Sequence, residues 1–307
     1  MNEIKNILIC GIGAVGSIYA NKINEYSQEN LKILVDSKRY EKYVKSPKIF
    51  NGKELKLNYI LPSAQDFKAD LIIIATKYDG FESAVENISN FIKSETIILS
   101  LLNGVTSEKI LCEKYGAQHV LLSYFIGHSA MRQENIITHD GIGTIVFGAK
   151  QKGLCDEKIE QENIKKVKEF FDKAHIEYQI PDDMYRALWL KFMLNVSANQ
   201  PSAILKMTFG QMQSNEKFLK FMTKIMEEVR ILAQKEGVKN TETMIDEAIK
   251  SFNQMSKNGK TSMLQDIEAG RKTEVEMFAG HIIKLGKKYN IPTPYNKVLK
   301  ELIEIIS

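Results

Sequence analysis

The sequence predicts an α/β protein in two parts, a doubly wound sheet followed by an all-α domain. Up to about residue 180, short and continuous apolar runs alternate with helical stretches, which is typical of a parallel sheet buried on both faces. After Pro181 the strand signal ends and long amphipathic segments follow. The chain of 307 residues is also longer than one hydrophobic core usually serves, since single cores stop growing at about 250–300 residues. We therefore expect domains at 1–180 and 181–307.

The order of elements in the first part follows from runs rich in Ile, Leu and Val. Strands are predicted at 6–10, 31–36, 70–76, 96–102 and 119–125, with helices at 79–92 and 106–114. The turn dipeptides Asn51-Gly52 and Asp140-Gly141 each lie between β-rich runs. They predict hairpins added at the edge of the doubly wound sheet.

The second part reads as helices separated by Pro and Gly. The predicted helices cover 183–200, 215–236, 241–256, 262–289 and 295–306. Their boundaries are expected at Pro201, Gly237, Asn258-Gly259 and Pro292/Pro294.

Composition and charge exclude several classes of protein. The chain has 42 basic and 38 acidic residues, a net charge of +4, and they form no basic tract, which argues against a nucleic-acid or membrane partner. Its three cysteines, Cys10, Cys112 and Cys155, are far apart, which suits a reducing compartment and argues against structural zinc. Since we find neither a signal peptide nor a long apolar stretch, we expect a cytoplasmic protein. We also expect that it needs no metal.

The stretch "ICGIGAVGSIYANKI" places a G-x-G-x-x-G motif between a strand and a helix. Gly11 permits the tight turn, Gly13 admits a pyrophosphate, and Gly16 allows the helix to pack closely. The backbone N–H groups of Ala14, Val15 and Gly16 at the helix start attract phosphate. An ordinary structural turn is the alternative. In this context the motif predicts a dinucleotide site in a Rossmann-type domain.

The residues after the second strand give conflicting signals about which dinucleotide binds. Asp36 would accept hydrogen bonds from the ribose of NAD and repel a 2′-phosphate. Lys38 and Arg39 follow at once and could pair with that phosphate, although a solvated helix start explains them equally. With Lys77 at the end of the neighbouring strand, as many as three cations lie near the expected 2′-phosphate, against one carboxylate that can rotate into water. This balance favours NADPH, and NAD stays open because of Asp36.

Polar residues follow two further strands at their carboxyl ends. Lys77 follows "LIIIAT", and Asn103-Gly104 follows "TIILSLL". Ligands of open α/β sheets bind at this edge, so both are candidates for the cofactor site. An ordinary turn dipeptide is the alternative for Asn103-Gly104.

A helix in the second part carries polar groups among apolar ones. Lys191, Asn195 and Asn199 are spaced by four residues and lie within about 80° on one helical face. Uncompensated polar groups on such an apolar helix are costly, so they indicate a substrate-binding face. A lysine that extends its ammonium to water is the alternative.

The stretch "TSMLQDIEAGRKTEVEMFAGHI" carries several acidic residues and a serine. Ser262 and Gln265 have the spacing of a capping box, which predicts Ser262 as a helix N-cap. Glu274 and Glu276 flank Val275 before an apolar run, and the sequence leaves open which carboxylate points inward.

Taken together, these motifs resemble the ketopantoate reductase family (2-dehydropantoate 2-reductases) over nearly the whole chain. The resemblance is carried by "GIGAVGS", "ATK" (75–77), "NG" (103–104), "RALWLKFMLNVSANQPSAI" and "SMLQDIEAGRKTEVEMFAGHII". It implies NADPH-dependent reduction of 2-dehydropantoate to pantoate, a step of pantothenate and coenzyme A biosynthesis. It also implies an active site between a Rossmann-type domain and a helical domain.

The resemblance also implies a role for each matching residue. Lys191 would be the catalytic lysine and Glu274 the active-site glutamate, while Asn195, Asn199 and Ser262 would bind substrate and Asn103 and Lys77 would lie near the cofactor. Asp36 departs from the family, where a basic residue such as Arg39 recognises the cofactor. A reductase for another 2-keto acid and a non-catalytic dinucleotide sensor remain alternatives. We expect a small 2-keto acid as partner, and the sequence leaves a homodimer open.

Overall fold

The structure is a computed structural model that describes residues 3–127, 130–133, 135–139, 141 and 143–307. It divides into two compact units, of which the first ends at Tyr185 and the second comprises Arg186–Ser307. The predicted fold class is confirmed, with a Rossmann-type sheet in the first unit and helices in the second. The domain boundary that we place at 180/181 stays a proposal, and one helix, Met184–Leu194, runs through the point where the units divide.

The strands of the first unit are short, and most of those in the large sheet have few exposed residues. They are β1 (Ile7–Cys10), β2 (Leu31–Leu34), β3 (Lys48–Phe50), β4 (Lys53–Leu55), β5 (Tyr59–Ile60), β6 (Leu71–Ile74), β7 (Ile97–Ser100), β8 (Val120–Ile126), β9 (Ala130–Gln133), β10 (Ile136–His139), β11 (Thr144–Gly148) and β12 (Tyr178–Gln179). Its helices are α1 (Ala14–Ser27), α2 (Ser37–Lys45), α3 (Phe81–Asn87), α4 (Ser107–Tyr115) and α5 (Glu157–Lys173).

The main sheet has the order β12-β11-β8-β7-β6-β1-β2-β5 and is parallel except where β8 meets β11. In register, Cys10 lies opposite both Leu34 and Ile74, and Ile74 lies opposite Ser100. The chain therefore leaves β1, β2, β6 and β7 at one edge of the sheet. The strand order reverses beside β1, so the turn at Gly11 occupies the switch point where ligands of such sheets bind.

The predicted hairpin at Asn51-Gly52 is confirmed and joins β3 to β4. Both residues have left-handed backbones, with φ of 47° and 80°, as a tight turn between twisted strands requires. Its predicted place at the edge of the main sheet is wrong, because the hairpin belongs to a second sheet with the order β4-β3-β10-β9. Phe50 and Leu55 bury their side chains in a separate small core with Ile18 of α1.

The second predicted hairpin, at Asp140-Gly141, falls on Asp140, which lies outside the described residues. The strands that flank it, β10 and β11, belong to different sheets.

The second unit consists of helices. They are α6 (Met184–Leu194), which begins at the end of the first unit, α7 (Gln200–Leu205), α8 (Phe209–Gln213), α9 (Glu216–Lys235), α10 (Met244–Asn253), α11 (Ser262–Glu268), α12 (His281–Tyr289) and α13 (Pro294–Ile306). Two π-helical turns join them, a first π-turn at Asn195–Asn199 and a second π-turn at Glu276–Gly280. None of the helices in the described part of the chain has the length and apolar character that a membrane crossing requires.

Two helix predictions are wrong, in opposite ways. Pro201 does not end the first helix, because the first π-turn joins α6 to α7 and Pro201 lies in the first turn of α7. The predicted helix 262–289 is interrupted after α11, where Gly270 has a φ of 60° and ends the helix. An irregular segment and the second π-turn follow before α12 begins.

Candidate active site

Two glycines of the loop after β1 are required by the packing of the chain itself. Gly11 has a φ of +93°, and a Cβ there would lie 2.8 Å from the backbone of Ala75. A Cβ at Gly16 would lie 1.9 Å from the carbonyl oxygen of Gly11. Any side chain at either position would force the loop away from β6 or from the start of α1.

Gly13 differs from both, because a Cβ there would meet no described atom within 4 Å. Its backbone is extended, with a φ of −72°, so neither conformation nor packing requires glycine. A ligand that approaches the backbone would require it. The next residues, Ala-Val-Gly-Ser, bring no carboxylate to the start of α1, so its N–H groups can receive an anion. The loop therefore fits a dinucleotide pyrophosphate.

Lys77 and Asn103 leave the sheet at the same edge as this loop. Lys77 is exposed and precedes a short 3₁₀ turn, Tyr78–Gly80. Asn103 is half-buried and precedes Gly104, whose φ of 94° marks a turn. The ends of β6 and β7 thus present a lysine and an asparagine at the edge of the sheet that carries the glycine loop.

Two consecutive buried hydrogen bonds connect the ends of the loop that carries Asn103. The hydroxyl of Ser100, at the end of β7, donates to the hydroxyl of Ser107 at 2.9 Å, and Ser107 donates to the carboxylate of Glu108 at 2.9 Å. All three side chains are buried. Because both ends of the loop are fixed in this way, the position of Asn103 depends on the start of α4.

Asp36 and Arg39, which give opposite signals in the sequence, form one local structure. Asp36 is the N-cap of α2, and its carboxylate accepts a hydrogen bond from the backbone N–H of Arg39 at 2.7 Å. The Arg39 guanidinium lies 2.8 Å from the other carboxylate oxygen. Without a ligand, the carboxylate is therefore held at the helix start and does not point into water.

The predicted polar face of the helical unit spans α6 and the first π-turn. Lys191 and Asn195 are half-buried, and Asn199 is buried, with 8% of its surface exposed. Asn195 and Asn199 are the first and last residues of the π-turn, so their relative direction follows a π-helical instead of an α-helical spacing. π-turns inside α-helices occur frequently at functional sites.

Ser262 does not cap α11, and the prediction that it does is wrong by one residue. Thr261 has the extended backbone of an N-cap, with a ψ of 153°, and its hydroxyl accepts a hydrogen bond from the Leu264 N–H at 3.2 Å. Ser262 is already helical and exposed. Its hydroxyl therefore has no capping role.

The structure separates the two glutamates that the sequence leaves equivalent. Glu276 is exposed and lies 2.7 Å from the ammonium of Lys300, and this contact raises the pKa of Lys300. Glu274 is half-buried at the end of the irregular segment. Asp266 of α11 is buried and forms an ion pair with Arg271 at 2.7 Å, which fixes the start of that segment.

Within the helical unit, the candidate residues lie on segments that pack together. The first π-turn, which carries Asn195, packs against α11, which carries Ser262, and against the second π-turn, which begins two residues after Glu274. The candidates for the cofactor belong to the first unit. Among the residues that the structure describes, no group of three or more His, Cys, Asp or Glu is arranged to hold a metal ion.

Comparison with known families decides the class of protein. Residues 7–152 match the model described as ketopantoate reductase PanE/ApbA, and residues 183–307 match the model of its C-terminal part. The chain belongs to the ketopantoate reductase family. The predicted family and the predicted enzyme class, an oxidoreductase, are thereby confirmed.

Individual proteins resemble the chain over nearly its full length. The 2-dehydropantoate 2-reductase of Pyrococcus horikoshii is 26% identical over 97% of this chain and 96% of its own, and that of Aquifex aeolicus is 25% identical over 98% and 96%. A structure of D-mandelate dehydrogenase with NADH and anilino(oxo)acetate is 25% identical, with a TM-score of 0.84 over 98% of both chains. The 2-dehydropantoate 2-reductase of Geobacter metallireducens, 22% identical over 98% and 100%, has the same fold, with a TM-score of 0.82.

Two residues with consequences for this site were missed from the sequence. Thr261 directly precedes Ser262, and its position before a helical run was the available signal. Gln200 lies between Asn199 and Pro201 and is completely buried. A glutamine next to a proline in an apolar helix was the only signal for it.

Proposed function

We propose that this chain reduces 2-dehydropantoate to pantoate with NADPH. The observation that carries the proposal is that both units match one reductase family, the first over residues 7–152 and the second over 183–307. The half that would hold the cofactor and the half that would hold the substrate are therefore both present. The open space at Gly13 supports the cofactor half, since that glycine serves no packing purpose of its own.

Lys191 and Glu274 would carry the chemistry of the helical unit. A bound nicotinamide supplies the hydride for the C2 carbonyl of the substrate. The Lys191 ammonium would stabilise the negative charge that develops on the carbonyl oxygen and deliver the proton to it. Glu274 would hold the substrate hydroxyl and keep the lysine charged. Both side chains are half-buried, as groups that must reach a substrate should be.

The uncharged candidate residues of the helical unit would bind the substrate without adding charge to the site. Asn195, Asn199 and Ser262 offer two amides and a hydroxyl, which suit the carboxylate and hydroxyl of the substrate. The exposed hydroxyl of Ser262, which is not used as a cap, supports this role. Asn103 would contact the nicotinamide, and Lys77 would lie near the cofactor phosphates.

The preference for NADPH is a proposal that depends on Arg39. Gly11, Gly13, Ala14, Val15 and Gly16 would hold the pyrophosphate of either dinucleotide, so they do not discriminate. The Arg39 guanidinium would pair with the 2′-phosphate, for which it must leave the exposed carboxylate of Asp36. NAD is the alternative that Asp36 supports.

The test is a screen of the purified protein with NADPH and NADH, following the loss of nicotinamide absorbance. We expect 2-dehydropantoate with NADPH to give the highest kcat/KM. Turnover of a different 2-keto acid with little turnover of 2-dehydropantoate would contradict the substrate, and binding of the dinucleotide without turnover of any 2-keto acid would indicate the sensor.

One observation favours a second candidate. D-mandelate dehydrogenase, whose structure was determined with NADH and anilino(oxo)acetate, is as similar to this chain as the 2-dehydropantoate 2-reductases are, at 25% against 26% identity. The second candidate is therefore NADH-dependent reduction of an aromatic 2-keto acid. Including 2-oxo-2-phenylacetate in the screen distinguishes the two.

The location and the assembly also stay proposals. We propose a cytoplasmic enzyme, from the three widely spaced cysteines, and a homodimer. Sedimentation at several protein concentrations tests the assembly.

A further inference from the structure

The first π-turn leaves one backbone carbonyl without its usual donor. In a π-turn each carbonyl bonds to the N–H five residues further on instead of four. For Val196 that residue is Pro201, which has no N–H. The side chain of Gln200 takes its place, because its amide nitrogen lies 2.8 Å from the Val196 carbonyl oxygen. Gln200 therefore completes the hydrogen bonding of the turn.

Gln200 is held in turn by a buried polar network. Its amide nitrogen also reaches the side-chain oxygen of Asn296 on α13, at a long 3.5 Å. Since both partners of this nitrogen are acceptors, the orientation of the amide is determined. Gln200 and Asn296 are both 0% exposed.

A carboxylate from another helix fixes the far end of this network. Glu228 of α9 is 6% exposed and accepts the side-chain amide of Asn296 at 2.7 Å. It also accepts the backbone N–H groups of Tyr295 at 2.8 Å and Asn296 at 3.1 Å, so it caps the start of α13. A charged group in the core is thus compensated by three hydrogen bonds, two of which come from Asn296, the residue that contacts Gln200.

α13 also contacts the second π-turn. Lys300 lies four residues after Asn296 on the same helix and pairs with Glu276 at 2.7 Å. α13 packs against the second π-turn and against α7, which directly follows the first. One helix therefore supports both irregular segments of the unit.

We propose that Gln200 is a positioning residue, supported by Asn296 and Glu228, that maintains the first π-turn and so aims Asn195 and Asn199 at the substrate. An α-helix rotates by about 100° per residue, so a return of the turn to α-helical geometry would redirect one asparagine by roughly that angle relative to the other. The inference rests on the proposed function, in which both asparagines bind the 2-keto acid.

The test compares two glutamines that each bond to backbone carbonyls. Gln200→Met keeps the length of the side chain but removes the donor. Gln213→Met is the matched control, because Gln213 bonds to the carbonyls of Phe252 and Met255 near the end of α10 and to neither π-turn. We expect Gln200→Met to raise the KM for 2-dehydropantoate about 10- to 100-fold, the scale of a misplaced binding group, with the KM for NADPH within about twofold. The control should leave both constants unchanged.

Hydrogen–deuterium exchange of the peptide that covers residues 191–206 gives a readout that needs no substrate. Exchange there should become faster in Gln200→Met and stay unchanged in the control. Asn296→Ala should give the same pattern with a smaller amplitude, since its link to Gln200 is long, and it replaces Gln200→Met if that variant does not fold. An unchanged exchange rate and KM in these variants, or equal effects in the control, would overturn the inference. If the wild type does not reduce 2-dehydropantoate, the proposed function fails and the exchange comparison alone decides this inference.

Discussion

The Asp36 carboxylate caps the helix that carries Arg39 and at the same time pairs with the Arg39 guanidinium at 2.8 Å. The acid that favours NAD and the base that favours NADPH are therefore coupled, and binding of a 2′-phosphate must exchange one partner of Arg39 for another. Their side chains are 45% and 62% exposed, and such surface pairs contribute only about 0–1 kcal/mol. A charge-assisted bond to phosphate contributes about 1.5–3 kcal/mol, so the exchange favours the phosphate.

Substitution of either Asp36 or Arg39 should therefore change the preference of the enzyme for NADPH or NADH. Arg39→Ala should raise the KM for NADPH several-fold and leave the KM for NADH nearly unchanged. Asp36→Asn keeps a side chain that can cap α2 but removes the competing charge, so it should lower the KM for NADPH by about two- to fivefold. Steady-state kinetics with both cofactors checks this. If the wild type prefers NADH and Asp36→Asn removes that preference, Asp36 is a ribose ligand and the NADPH proposal is wrong.

The glycine loop permits a separation of binding from folding. Gly13→Val places a branched side chain in space that no described atom occupies, so it should abolish dinucleotide binding with little loss in the free energy of unfolding. Gly16→Ala is the contrast, because its Cβ would lie 1.9 Å from a backbone oxygen and should destabilise the fold. Calorimetric titration and urea unfolding measure the two effects. Unaltered NAD(P)H affinity in Gly13→Val would make the loop a turn only.

The sequence predicted the elements whose apolar pattern is continuous, and it failed where hydrogen bonding is irregular. The five central strands and the helices α9 and α13 lie within a few residues of their predicted bounds, because buried runs and amphipathic periodicity determine them directly. The π-turns were not predicted, since Pro201 looks like a helix end unless a side chain such as Gln200 satisfies the carbonyl that it leaves. The second sheet was missed because β3 and β10 are far apart in sequence.

In the candidate site, too, the sequence predicted some features correctly and failed for others. The spacing of the three loop glycines was sufficient to predict a phosphate-binding turn, and their different packing agrees with three different reasons for glycine. The spacing of Ser262 and Gln265 was not sufficient, because Thr261 can cap the same helix one residue earlier. Likewise, only tertiary structure separates Glu274 from Glu276, since Lys300, which pairs with Glu276, is distant in sequence.

Lys191 should be required for turnover and not for cofactor binding. Lys191→Ala removes the proposed proton donor and should lower kcat by about 10²- to 10⁴-fold, with an unchanged Kd for NADPH, since the glycine loop belongs to the other unit. Single-turnover kinetics and fluorescence titration of NADPH measure the two quantities. Near-wild-type turnover would remove Lys191 from the mechanism.

The two neighbouring glutamates form a matched pair for the active-site assignment. Glu274→Gln should lower kcat/KM for 2-dehydropantoate by about 10²-fold, because it removes the charge that we place beside Lys191 and the substrate. Glu276→Gln should change it by less than about threefold, because the exposed Glu276 carboxylate pairs with Lys300 and belongs to no proposed catalytic contact. If the two variants have the same kcat/KM, the assignment of Glu274 loses its support.

Substitutions of Thr261 and Ser262 should have different effects, the first on the stability of the fold and the second on substrate affinity. Thr261→Ala removes the N-cap of α11 and a buried bond to the Ser202 hydroxyl at 3.1 Å, so it should lower the free energy of unfolding by about 1–2 kcal/mol. Ser262→Ala changes an exposed position without a capping role, so its effect on unfolding should stay within about 0.5 kcal/mol. It should instead raise the KM for 2-dehydropantoate about three- to tenfold, the effect of one lost hydrogen bond. Urea unfolding and steady-state kinetics on both variants test this, and a loss of stability in Ser262→Ala with an unchanged KM would return that serine to the purely structural role that its spacing first suggested.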